Sequence, residues 1–163
     1  MTVHGSRLSV SLHRIPLLHV QRTGELRTVR EVEVDVAVDL AGTVEVDETR
    51  LRAAVQALAP SAVMQEPEHL AVIIARHIAE RLTGAARISA DVSLRRWTRL
   101  EIGGRPRTGD FARQESDRRT AHATMEGGLA TVHAGIRGMQ LLTAESENGT
   151  PLLIRLDARW TYG

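Results

Sequence analysis

The side chains here that could carry chemistry form a short inventory. There are seven histidines and 20 carboxylates, and the 21 remaining cations are all arginine. The chain has no cysteine, which excludes disulfides, thiolate metal sites and a cysteine nucleophile. It also has no lysine, which removes Schiff-base chemistry, a side-chain amine base and the lysine of a P-loop, because a guanidinium stays protonated. Carboxylates, hydroxyls and imidazoles remain for proton transfer, and arginine for holding anions.

The histidines are spread out. His13 and His19 fall on one face of the first strand if that strand is unbroken, although Pro16 argues for an edge or a bulge. His122 and His133 flank the Glu126-Gly127-Gly128 turn and are placed to approach each other across a hairpin. A zinc site needs three convergent ligands and no His-x-His pair is present, so no metal and no cofactor are expected. His77 faces the core by helical period and reads as a satisfied buried histidine. The arginines cluster around RRWTRLEIGGRP (95–106), with Arg107, Arg118 and Arg119 close behind. Arg95, Trp97, Arg99 and Glu101 share one strand face, opposite Leu94, Leu100 and Ile102. Pairing with Asp91, Glu101, Glu33 or Asp35 explains that face better than a ligand does. A net charge of +1 gives no global field for nucleic acid, and aromatic stacking platforms are missing.

These residues have to be positioned by a fold with an aliphatic core, since Trp97, Phe111, Trp160 and Tyr162 are the only aromatics among 163 residues that are 42% hydrophobic. No apolar run nears the roughly 18 residues of a membrane span, and the start lacks a signal-peptide pattern. A soluble, cytoplasmic, single domain over residues 1–163 is the expectation. Residues 7–20 read as a strand and QRTG (21–24) as a turn. TVREVEVDVAVDL (28–40) alternates strictly, with valines on one face and acids on the other. Asp47 is placed to cap a helix carrying Leu51, Ala54, Val55 and Leu58, which ends by Pro60. A second helix starts at Pro67-Glu68, with Leu70, Ile73, Ile74, His77, Ile78 and Leu82 inward, and stops at Gly84. Strands return at 87–102, at 111–125 as one long polar strand, at 129–136, and as a closing hairpin of 140–146 and 152–160 around Asn148-Gly149. The order β-β-α-α-β-β implies an α+β domain, an antiparallel sheet with two helices on one face.

Three collinear segments carry a family likeness. RRWTRLEIGGRPRTGDFARQESDRR (95–119) resembles the W-T-R-acid-I-x-G-K/R-P segment of uricase, the cofactor-free urate oxidase of the tunnelling-fold (T-fold) superfamily. Trp97, Thr98, Arg99, Ile102, Gly104, Pro106, Phe111 and Arg119 stand at matching offsets. PEHLAVIIARHIAERL (67–82) resembles the helix with the family's histidine, in whose place stands His77, and GIRGMQLLTAESE (135–147) and DARW (157–160) resemble its later strands. The resemblance covers the whole chain but only the N-terminal half of a uricase. It implies a single T-fold domain whose copies join edge to edge into a β-barrel, as a homotetramer or larger ring. Sites would lie between subunits, and the helix-free face would line a central tunnel.

The resemblance also implies which residues could act. Where the family has its catalytic lysine, the aligned text is His4-Gly5-Ser6-Arg7, leaving Ser6 and Arg7 as substrate-binding candidates. The partner threonine opens the first helix in a V-A-T-D motif. The text here is VEVDET (44–49), in which Asp47 matches the aspartate and the threonine place is Val46, or Thr49 with a short slip. The urate-holding arginine aligns with Thr150, with Arg155 the nearest arginine on that strand, and the family's His-Pro-His turn reads Arg107-Thr108-Gly109. Asp47 and Thr49 are thus the catalytic candidates, and Arg52, Arg155, Thr150, Ser6 and Arg7 the substrate-binding ones. Plain helix capping and macrodipole matching account for Asp47, Thr49 and Arg52 somewhat better than a binding role does. The expected function is a cofactor-independent enzyme, an oxidase or a condensing or cyclising enzyme, on a small planar or aromatic heterocycle at a subunit interface. Urate oxidation itself is not expected, and the alternative is a catalytically silent assembly partner or binding module.

Overall fold

A computed structural model describes residues 7–23, 26–41, 46–58, 66–113, 118–143 and 152–162. Two long strands, β1 (Arg7–Thr23) and β2 (Leu26–Ala41), run antiparallel to one another, the first rich in β-branched and aliphatic residues and the second alternating valines with acids. The helices α1 (Glu48–Ala57) and α2 (Pro67–Ala79) follow. The chain then returns to the sheet as β3 (Ala85–Ile102), β4 (Arg105–Arg113), β5 (Arg118–Glu126), β6 (Leu129–Thr143) and β7 (Leu152–Tyr162). The order across the sheet is β1-β2-β3-β5-β6-β7, every pairing is antiparallel, and β4 pairs with the outer half of β3. Gly103 and Gly104, at φ +61° and +74°, make the β3–β4 turn, a conformation that side-chain-bearing residues resist.

Both helices cover one face. α1 packs on β1, and α2 packs on β3, β5 and β6. Between helices and sheet lies the core: Leu12, Ile15 and Leu17 from β1, the even-numbered valines Val32 to Val38, and Ile88, Ala90 and Val92 from β3. Leu51 and Val55 of α1 and Leu70, Ile74 and Ile78 of α2 close it from above. This is the aliphatic core that the composition requires, and no helix among the described residues is long and apolar enough to cross a membrane.

Several sequence expectations need correction. β1 continues through Gln21-Arg22-Thr23, so the expected QRTG turn is mostly strand. Residues 111–125 are not one strand: β4 and β5 pair with different halves of β3. Residues 129–143 form a single strand, bent by a bulge between Ile136 and Met139, where the sequence suggests two segments. The β1 bulge falls at His13-Arg14, not at Pro16, with Arg14 at φ +52° and its N–H donated to Asp35 Oδ1 at 2.7 Å. One inserted residue flips the faces beyond it, so His13 and His19 point to opposite sides. Leu100 and Ile102 are exposed, not helix-covered. An 18-residue strand runs about 59 Å while the 13 residues of α2 run about 20 Å, so the end of β3 projects past the helices. His77 and Ile73 are only half-buried, because the stripe on α2 centres on Leu70, Ala71, Ile74, Ala75 and Ile78. The Asn148-Gly149 turn lies outside the described residues.

Candidate functional site

Two places gather polar side chains. The first is the start of α1. Asp47 is extended (φ −78°, ψ 102°), and its Oδ1 accepts from the N–H groups of Thr49 (2.9 Å) and Arg50 (3.2 Å). Its Oδ2 meets Arg50 Nε at 3.3 Å. The two Oδ1 contacts satisfy backbone donors that a helix start leaves open, and the Oδ2 contact is a side-chain ion pair. Thr49 is exposed and Arg52 half-buried beside them. Arg155 is exposed on β7, paired with Gln140, at the sheet edge opposite β1. Five interstrand spacings, about 24 Å, separate those edges within one chain. Asp47, Thr49 and Arg52 are therefore together, and Arg155 is not with them. Ser6 and Thr150 lie outside the described residues. Arg7 begins β1 opposite Ala41, its side chain outside the description.

The second place is the helix-free face of the sheet, where strand register sets up three parallel rows. The middle row places Glu33, Ser93, Thr120, Gly135 and Arg159 side by side on successive strands. Ser93, Thr120 and Gly135 are small and form a floor. Towards one end of the strands stands a row from Arg95 through Arg118 to Arg137, and towards the other a row of Asp35, Asp91, His122, His133 and Thr161. Rows two residues apart along a strand leave the flanking rows about 13 Å apart at Cα. The result is a groove of about 480 Å³ over the floor.

Its walls are tied down. Arg118 donates to Glu33 at 3.2 Å and bonds to Ser93 Oγ. Arg95 Nη2 stands 4.0 Å from the other oxygen of Glu33. Trp97 Nε1 donates to Glu31 at 3.0 Å, so the arginine–tryptophan face is held by acids of β2, in keeping with cross-strand pairing. On the facing wall His122 Nδ1 meets Asp91 Oδ1 at 2.9 Å and Nε2 meets Thr124 Oγ1 at 2.9 Å, which uses both ring nitrogens. His133 Nδ1 meets Thr161 Oγ1 at 3.0 Å, and its ring stacks on that of His122 with centroids 6.3 Å apart. The two histidines do meet across the β5–β6 hairpin. Among the described residues no group of three or more side chains is arranged to hold a metal ion. His77 lies elsewhere, on α2. Desolvation first, then the neighbouring Arg81 cation, holds its imidazole below the usual value, against a smaller opposing effect of Glu80. Arg81 Nη1 sits 2.8 Å from its Nδ1.

The acid partners of this face were legible from the alternation of β2. The groove itself was not, because it depends on which residues of β3, β5, β6 and β7 stand abreast. In sequence Asp91 reads only as a possible ion-pair partner, and Ser93, Thr120, Gly135, Arg137 and Arg159 carry no signal on their own.

No protein-family model and no curated protein matches this sequence. Solved structures do match its fold. A uricase from Arthrobacter globiformis superposes with a TM-score of 0.72 at 19% identity, over 99% of this chain and 63% of the uricase. A hyper-thermostable uricase mutant gives 0.74 at 18% identity, over 99% of this chain and 62% of the other. The urate oxidase of Bacillus subtilis 168 gives 0.63 at 16% identity, over 95% and 63%. The class that the fold defines is thus the uricase-like one: an antiparallel sheet backed by two helices. The chain spans a little over three fifths of the length of the two uricases it matches at the higher TM-scores, 62% and 63%.

Proposed function

We propose that this chain is a subunit of a T-fold ring, a homotetramer or larger, and that it acts without a cofactor on a small planar heterocycle held between neighbouring subunits. The observation that carries this reading is the separation of the polar candidates. Asp47, Thr49 and Arg52 sit beside the β1 edge, and Arg155 sits on the β7 edge. If β7 of one copy continues the sheet at β1 of the next, both sets reach the same seam, the α1 set from the helix side and Arg155, which shares a face with Arg159, from the helix-free side, and two open edges are covered at once. Thr49 then offers a hydroxyl and Arg52 a guanidinium group to a flat, electron-rich, anionic ring, with Arg155 at the far side of the seam. Asp47 is the acid or base for oxidation or for a condensation or cyclisation. Turnover of urate by the uricase constellation is not part of this reading, because a chain without lysine cannot supply that residue.

A second reading, a catalytically silent assembly partner, is favoured by one specific observation. The Asp47 carboxylate is already engaged by two backbone N–H groups and Arg50. Two measurements separate the readings. Light scattering on the eluting protein should give a multiple of the 17.9 kDa chain mass, and a monomer would end both. Titration with urate and xanthine, followed by tryptophan fluorescence, should show binding that Arg52→Gln and Thr49→Val weaken. Assembly without any such binding selects the silent partner. Loss of urate absorbance under oxygen at an enzymatic rate would overturn the conclusion about the missing lysine.

A further inference from the structure

We propose that the groove on the helix-free face is a binding site for a small, flat molecule bearing an oxyanion, a carboxylate or a phosphate, separate from the interface site above. The argument begins with charge. Arg118 and Arg137 are direct cross-strand neighbours, an arrangement that repels. Arg118 is compensated by Glu33, but Arg137 and Arg159 have no ion-pair partner among the described residues. Both line the groove, on adjacent strands, at the end away from the acids of β2. Two guanidinium groups without an ion-pair partner among the described residues, beside a preformed hollow and with Asp157 turned to the Gly138 N–H, are the elements of oxyanion recognition, since each can donate two parallel hydrogen bonds.

The shape is equally particular. The floor is open because Ser93 and Thr120 are small and Gly135 has no side chain. A Cβ at Gly135 would stand 2.6 Å from the carbonyl oxygen of Ala158 and 3.4 Å from Arg159 Cγ. Glycine there lets β7 approach closely and leaves the Arg159 side chain beside the hollow. A body of one or two rings can lie on this floor with its anionic end at Arg137 and Arg159. His133 faces it from the opposite wall. Its Nδ1 is turned to Thr161, and its Nε2 has no hydrogen-bond partner among the described residues and remains available to a ligand. The stacked His122, fixed by Asp91 and Thr124, keeps that ring upright. The ligand is therefore expected to be anionic at one end and hydrogen-bonding along one edge. It can be a free carboxylic acid or a phosphate ester, since the chemistry of the arginine end is the same for both.

The test uses the full chain at low ionic strength and three probes: benzene-1,4-dicarboxylate, phenyl phosphate, and 1,4-bis(aminomethyl)benzene as a charge-reversed control of similar shape. Calorimetry should show one or both anions binding, with the diamine at least about tenfold weaker, and the anion that binds more tightly names the source. The double variant Arg137→Gln/Arg159→Gln should weaken the anion at least about tenfold. Thr120→Phe, which fills the floor from a solvent-facing strand position, should do the same while keeping both arginines. Imidazole nitrogen resonances of His133 should move on binding, and those of His77 should not. The proposal is overturned if the anions and the diamine bind alike, if neither anion binds at 10 mM (roughly the weakest affinity two such contacts would give), or if the double arginine variant binds unchanged. Thr49→Val, on α1 and across the sheet from the groove, is the separating control. It should leave this site intact and affect only the interface site, so either reading can fail without the other.

Discussion

The two faces of the sheet are built from the same strands and obey different rules. Arg118 and Arg119 show it most directly, being consecutive on β5 and pointing to opposite sides. Arg118 sits in a half-open charged groove, shared between Glu33 and Ser93. Arg119 points to the helix side, where it reaches Glu66 and Glu68 at the start of α2, and its side chain is 25% exposed against 38% for Arg118. On the helix side, paired polar groups are exceptions within a dry aliphatic layer, so each must be satisfied. On the other side the residues around the groove are mostly polar and charged, and several of them share more than one partner. Structural stability should therefore reside on the first face, and freedom to bind on the second.

The largest effect that would confirm this division is in the core. Ile74→Ala removes a fully buried side chain between α2 and the sheet, and should cost about 2–5 kcal/mol in urea unfolding. A smaller loss than about 1 kcal/mol would mean that α2 is not seated as described. Next comes the arginine pair. Arg119→Gln leaves Glu66 and Glu68 without their cation, and Glu68 already has one buried oxygen with no hydrogen-bond partner among the described residues. A loss of about 1–3 kcal/mol is expected from a poorly solvated acid left behind. Arg118→Gln should lose less than about 1 kcal/mol, because Glu33 keeps the Arg95 cation beside it. Equal losses would erase the distinction between the faces.

Asp47→Ala removes the cap of α1 and should cost about 1 kcal/mol, while Asp47→Asn, which can still accept from Thr49 and Arg50, should cost much less. If the two substitutions also diverge in heterocycle binding, Asp47 has a role beyond its helix. The smallest effect is at His77. Its folded-state value lies below that of the unfolded chain, so above the ordinary value near 6.5 both states are neutral and nothing is lost. As pH falls through that point the unfolded chain takes up the proton first, and stability declines until the folded-state value is also passed. His77→Gln should flatten that part of a stability–pH curve. An unchanged slope would place the titration elsewhere.

Much of the fold was legible because the physics that sets it is local. The valine alternation of β2, the Asp47 cap, the proline opening α2 and the glycine pair after Ile102 each follow from a few neighbouring residues. The absence of lysine and cysteine likewise settled which chemistries were open. The departures were non-local. One residue inserted at His13-Arg14 decides which face the rest of β1 presents, and only the partner Asp35 shows where it sits. The difference in length between β3 and α2 decides that Leu100 and Ile102 are uncovered. The site follows the same division. The helix-start candidates could be found in the text, because capping joins adjacent residues. The groove arises from registers across β3, β5, β6 and β7 that set Ser93, Thr120 and Gly135 abreast, and from two arginines brought to one end of it. Sequence fixes which face each residue prefers, through a period of two. Tertiary pairing decides its neighbours on that face, because hydrogen-bond register couples residues far apart in the chain and nothing nearby in sequence records it.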